Sequence, residues 1–216
     1  MVEQNLSIAA IQTQLVWENP AANLLQLGEK LASIHKPVDI ILLPEMFATG
    51  FTMQPQKFAA EMNGEEVRWM QQWAKEKNAV ICGSLAVEEN GQYYNRLLWV
   101  QPSGEISTYD KRHLFSLSNE QEQYTAGEQR LIVEYKGWKI CPLICYDLRF
   151  PVWSRNTEQY DLLLYVANWP ERRNYAWQSL LIARAIENQC YVAAVNRVGK
   201  DAHDVAHSGD TMIVDA

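Results

Sequence analysis

The chain has 216 residues, 48% hydrophobic and 21% charged, with 19 basic against 26 acidic side chains and a net charge of −7. That composition fits a single globular domain over residues 1–216 and excludes a disordered chain. The acidic balance disfavours nucleic acid as a partner, and no apolar run approaches the roughly 18–20 residues that span a bilayer. The segment Met1-Val2-Glu3-Gln4-Asn5 lacks a basic stretch followed by an apolar one, so no secretory signal is expected. Cys82, Cys141, Cys145 and Cys190 form no CxxC pair, which makes a reducing cytoplasm the expected setting.

Strand-like runs alternate with helical patterns along the chain. Leu6 to Ile11 reads as a strand, and Ala21 to Ile34 as a helix with Leu24, Leu27, Leu31 and Ile34 on one face. Asp39 to Pro44 is a continuous apolar run, as expected of a strand covered on both faces. Glu65 to Lys77 is a second helix, striped by Val67, Met70 and Ala74. Ala79–Val87 and Gln92–Val100 flank Asn90-Gly91, a hairpin turn signal. Ile106–Tyr109 follows, then a polar loop over 116–129 and strand runs at Leu131–Tyr135 and Trp138–Ile144. Pro142 inside the last run predicts a bulge or a distorted strand end, because proline removes a ladder donor. Asp161–Ala167 reads as a strand, Tyr175–Asn188 as a helix, and Tyr191–Asn196 and Thr211–Val214 as strands. The mixture predicts an α/β or α+β layered domain.

Three reactive side chains stand where an apolar strand stops: Glu45, Lys111 and Cys145. Taken singly, Cys145 reads as a buried small hydrophobe, Glu45 as a carboxylate at a helix N-terminus, and Lys111 as a solvated lysine. Taken together they make an acyl-transfer kit that needs no metal or cofactor. A carboxylate takes the thiol proton, and an ammonium with the Tyr146 backbone N–H stabilises a tetrahedral oxyanion. Cys141 lies four residues before Cys145, so alternation puts the two on one side of the strand. His203 and His207 have the i, i+4 spacing of metal ligands, but Gly199, Asp201 and Gly209 around them read as a loop. Arg184 and Glu187 read as a structural helix pair.

The segments Leu43-Pro44-Glu45-Met46, Tyr109 to Phe115 and Leu143 to Pro151 resemble, in order and spacing, the three signature regions of the nitrilase superfamily. Tyr165 to Pro170 and Ala183 to Gln189 resemble its omega-amidase branch in particular. The resemblance runs from about Leu6 to Asp210. It implies a four-layer α-β-β-α sandwich, paired as a homodimer through helices. It implies Glu45, Lys111 and Cys145 as a triad reacting through a thioester, and a fourth glutamate, Glu120 or Glu122, that positions Lys111 or the hydrolytic water. Omega-amidases act on the terminal amide of short dicarboxylate monoamides such as 2-oxoglutaramate and 2-oxosuccinamate. Arg149 is then a candidate anchor for the free carboxylate, or the ion-pair partner of Asp147. Phe115, Asn168 and Trp169 are candidates to line the pocket, or core and turn residues. Family members continue past this point, so a form truncated at its C-terminus is expected. Another nitrilase-superfamily amidase or nitrilase, or a scaffold inactivated by truncation, are the alternatives.

Overall fold

The computed structural model describes residues 5–215, so Met1 to Gln4, within which the missing signal pattern was read, lie outside it. Two five-stranded sheets form its centre. The first runs β1 (Ile8–Ala10), β2 (Ile40–Leu42), β3 (Val80–Glu89), β4 (Gln92–Val100) and β5 (Ile106–Asp110) in spatial order. β1, β2 and β3 are parallel, and β3, β4 and β5 form an antiparallel meander. The second holds β6 (Val133–Tyr135), β7 (Trp138–Ile144), β8 (Leu162–Ala167) and β9 (Tyr191–Asn196), with β7, β8 and β9 parallel. A short ribbon, β10 (Val198–Lys200) with β11 (Ala206–Ser208), precedes β12 (Met212–Val214), which pairs antiparallel with β9 as an edge strand.

Side-chain alternation makes the layers. Ile40, Leu42, Val80, Cys82, Leu97 and Trp99 pack with the apolar side chains of β7, β8 and β9 between the two sheets. Their neighbours Ile41, Leu43, Ile81, Leu98 and Val100 face outward onto α1 (Pro20–Ala32) and, past the short α2 (Pro55–Phe58), α3 (Glu65–Lys77). α4 (Asn174–Asn188) covers the far face of the second sheet through Trp177, Leu181 and Ala185. The order is therefore helix, sheet, sheet, helix, the expected four-layer sandwich. Full burial of one such leucine or isoleucine stabilises by about 1.5–3 kcal/mol. No helix among the described residues is long and apolar enough to cross a membrane.

Local chemistry starts and stops these elements. Asn19 caps α1 by accepting the Ala22 N–H at 3.1 Å, with Pro20 at the first helical position. α3 opens on Glu65 and Glu66 and closes on Asn78 at φ 48°. Asn90 and Gly91 have φ of 54° and 76°, as a tight hairpin turn between β3 and β4 requires.

Pro142 corrects one expectation. It sits in an unbroken strand, paired with Leu164 of β8 in regular register. Ile144 turns its N–H away from β8, onto the Asp147 carboxylate at 3.1 Å. By alternation Pro142 N faces that same side, where β6 has already ended opposite Ile140. No ladder bond is lost, so no bulge is needed.

Candidate active site

Glu45, Lys111 and Cys145 each follow the end of a strand, β2, β5 and β7 respectively. The sandwich brings them together. Lys111 Nζ donates to Glu45 Oε1 at 2.8 Å and to Glu120 Oε2 at 2.9 Å. Cys145 and Glu45 line the same cavity, and the Glu45 charge acts on the thiol. Glu45 and Glu120 are fully buried, Lys111 is 1% exposed and Cys145 8% exposed. The readings of Glu45 as a helix-end carboxylate and Lys111 as a solvated lysine are thus overturned. Glu120 is the loop glutamate that reaches Lys111, whereas Glu122 is exposed.

The electrostatics follow from burying two carboxylates and one ammonium side by side. Burial works against the Lys111 ammonium, but the charges of Glu120 and Glu45 outweigh it and hold its pKa well above the ordinary lysine value. Burial raises the Glu120 pKa; Lys111 offsets part of that rise and Glu45 adds to it. Burial likewise pushes the Cys145 thiol well above its ordinary value, helped by Glu45 and opposed by Lys111. Cys145 therefore rests as a thiol, not a free thiolate.

Cys145 has φ 41°, rare for a residue with a β-carbon, and opens a 3-10 turn over Cys145–Arg149. Asp147, fully buried, holds that turn. It accepts from Ile144 N, from His113 N at 3.0 Å and from Tyr109 Oη at 2.7 Å, and its Oδ1 contacts His113 Nδ1 at 2.8 Å. Arg184 of α4 donates to the Leu148 carbonyl at 2.6 Å and pairs with Glu187, as the sequence predicted of that helix pair. Asp147 is thus not the partner of Arg149, whose guanidinium lies 5.0 Å from the Trp169 ring centre.

The other expected residues surround a cavity of about 340 Å³ whose walls include Glu45, Cys145, Tyr146, Phe115, Asn168 and Trp169. Phe115 packs edge-on against Tyr146 at 5.0 Å, and its N–H donates to Glu120 Oε2 at 2.5 Å. Asn168 donates from its backbone to Glu45 Oε2 at 2.8 Å and from Nδ2 to the Glu45 carbonyl, so it also holds the carboxylate in place. Its Oδ1 is buried without a partner. His203 and His207 share no helix: His207 lies in β11, and His203 lies in the connection from β10, edge-on to Trp17.

Two residues escaped sequence reasoning. Asn95 of β4 donates from Nδ2 to Glu45 Oε1 at 2.8 Å and to Glu120 Oε1 at 3.2 Å, while its Oδ1 accepts from Ser84 Oγ. An amide in the middle of a buried strand was the available signal. Arg173 lines the cavity beside Phe115, and the pair Arg172-Arg173 after Trp169-Pro170 carried no recognisable pattern.

A family model for carbon-nitrogen hydrolases matches residues 7–216. An omega-amidase named YafV from Yersinia enterocolitica is 49% identical over 98% of this chain and 82% of its own length. A 2-oxoglutaramate amidase from Bacillus subtilis is 35% identical over 97% of this chain and 82% of its own. Among solved structures, a CN-hydrolase superfamily protein from Xanthomonas campestris with an arsenic adduct in its active site superposes with a TM-score of 0.96. It is 44% identical and covers 98% of this chain and 83% of that one. The chain belongs to the carbon-nitrogen hydrolase family, in the omega-amidase branch of the nitrilase superfamily.

Proposed function

We propose that the chain hydrolyses the terminal amide of short dicarboxylate monoamides, 2-oxoglutaramate and 2-oxosuccinamate among them, through a thioester on Cys145. One observation carries the reading: a buried thiol and the Glu45 carboxylate, the latter holding Lys111 at 2.8 Å, stand together in the wall of one cavity. The similarity to a 2-oxoglutaramate amidase supports the substrate class.

In the proposed reaction Cys145 Sγ attacks the amide carbon while its proton passes to Glu45. The negative charge moves from Glu45 to the amide oxygen, so no net charge is created in the buried site. The Lys111 ammonium and the Tyr146 N–H stabilise that oxyanion. Glu45 then protonates the leaving nitrogen, ammonia departs, and the thioester remains. Water attacks it, giving its proton to Glu45, which returns a proton to sulfur as the acid leaves. Glu120 holds Lys111 in place and moves no proton. The unpartnered Asn168 Oδ1 accepts from the substrate's amide N–H.

The same reading places the enzyme in a reducing cytoplasm, which suits four free, buried cysteines. It also makes the enzyme a homodimer joined through α4, where Ile182 and Ile186 are 43% and 64% exposed on one face. The deciding experiment is ammonia release from 2-oxoglutaramate, 2-oxosuccinamate, glutamine, asparagine and a simple nitrile, with Cys145→Ala as control. Release from the 2-oxo-acid amides, absent in the variant, is expected. Folded protein that releases no ammonia from those two amides sinks the reading.

A further inference from the structure

Three arginines line the cavity: Arg149, Arg172 and Arg173. Other arginines with buried side chains have partners: Arg96 pairs with Asp110 and Glu89, Arg184 with Glu187 and the Leu148 carbonyl, and Arg197 donates to the Leu15 and Lys200 carbonyls. Among the described residues, none of the three at the cavity has a hydrogen-bonded or ion-paired guanidinium. In a protein of net charge −7 this is a local cluster of positive charge; of the acids in the same lining, Glu45 is bonded to Lys111 and Asp201 accepts from the backbone of His203 and Val205.

Arg173 is the most confined of them. Arg172 is exposed and solvated, whereas Arg173 is half-buried with its guanidinium 4.9 Å from the Phe115 ring centre. It stands at the N-cap of α4, whose first turn contains no acid. A helix N-terminus favours negative charge, so a cation there, beside a second cation, is a local conflict that an anion would relieve. Burial lowers the Arg173 pKa, and so do the neighbouring charges of Arg172 and Arg149; Cys145 acts the other way, which places Arg173 within the field of the nucleophile. The α4 dipole, the bare guanidinium and the thiol thus converge on one cavity. A planar guanidinium binds a carboxylate through two parallel hydrogen bonds.

We propose that Arg173 anchors the free carboxylate of the substrate and so sets the preference for amides that carry a carboxylate at their other end. This rests on the amidase reading above. Arg149, the anchor expected from sequence, is instead a secondary cation held against Trp169.

Binding is measured by calorimetry in a Cys145→Ala background, which keeps the substrate intact. The ligands are 2-oxoglutaramate and pentanamide, a neutral amide of similar length. Arg173→Gln should weaken 2-oxoglutaramate binding at least about tenfold, the loss expected for a charge-assisted pair, and leave pentanamide unchanged. Arg173→Lys, which keeps the charge and loses the fork, should fall between, and Arg149→Gln should cost less than about threefold. In the Cys145 enzyme, Arg173→Gln should raise KM for the anionic amide with kcat largely kept. An unchanged Kd in folded Arg173→Gln, or an equal loss for both amides, overturns the anchor. If the wild type releases ammonia from 2-oxoglutaramate and Arg173→Gln does so with the same KM, only the anchor fails. If the wild type releases none, the amidase reading fails with it.

Discussion

Two carboxylates share one ammonium in this site, and that fixes what each side chain can do. Lys111 is held by Glu120 on one side and Glu45 on the other. Removing the charge of Glu120 while keeping its shape leaves Glu45 as the sole counter-ion, which draws the ammonium off the oxyanion position. Glu120→Gln should therefore lower kcat by about 10–100-fold, the equivalent of one charge-assisted hydrogen bond, with little change in KM. Steady-state kinetics checks this, and an unchanged kcat would remove Glu120 from the site's working parts. Asn95→Ala strips one donor from each of Glu45 and Glu120 in a place water does not reach. It should cost about 1–3 kcal/mol in urea unfolding and lower kcat as well. Glu45, Lys111, Cys145 and Glu120 were legible in the sequence because their flanking residues form a recognisable pattern. Asn95 and Arg173 were not, because their roles depend on which distant side chains fold against them. An asparagine within an apolar run and an Arg-Arg pair have no such meaning by themselves.

At the scale of elements, Cys145 sits on a strained turn. A residue with a β-carbon at positive φ costs about 1–3 kcal/mol and persists only where its surroundings hold it. Here β7 delivers the turn, Asp147 fastens it to the loop carrying His113, and Arg184 fastens it to α4. Asp147→Asn puts an N–H₂ where only acceptors fit, facing the N–H groups of Ile144 and His113 and the Tyr109 hydroxyl. The variant should lose about 3 kcal/mol or more, the range for breaking a buried charged network. The Cys145 turn should also relax, changing its labelling rate by iodoacetamide. Equal melting temperature and equal labelling rate in the two proteins would show that the turn does not rest on Asp147. In the unmodified enzyme Cys145 should label ahead of Cys82, Cys141 and Cys190, because it lines the cavity while the others are 0–3% exposed. Most elements were readable from periodicity. Glu65–Lys77 has the predicted bounds because its apolar stripe, acidic start and Asn78 stop all agree. Pro142 misled because a one-dimensional reading cannot see that β6 stops short and leaves that side of β7 free.

The whole molecule is two sheets pressed face to face, and that interior traps groups that titrate in the unfolded chain. The layering was legible as alternation of strand and helix patterns, but which face of β2 meets the other sheet depends on the partner sheet, which periodicity does not encode. Burial pushes Cys141 and Cys190 up to about 12, and holds Cys82, Tyr109, Tyr124, Tyr160 and Tyr165 above their ordinary values. Lys111 is raised as well, by its two carboxylates against the effect of burial. For every one of these groups the folded pKa exceeds the unfolded one, so the folded state keeps protons that the unfolded state releases. Stability is then fully present below the unfolded pKa and falls as pH rises past it. Thiols begin to titrate in the unfolded chain near pH 8.5, phenols near 10 and lysine near 10.4. Each group adds a slope of about 1.4 kcal/mol per pH unit once its unfolded pKa is passed. The urea midpoint should be nearly flat with respect to these groups between pH 7 and about 8, decline from about pH 8.5, and drop steeply past about pH 10. A midpoint that stays constant from about pH 8 to 10.5 would mean that the phenols and thiols are not buried, and the packing as described would be wrong.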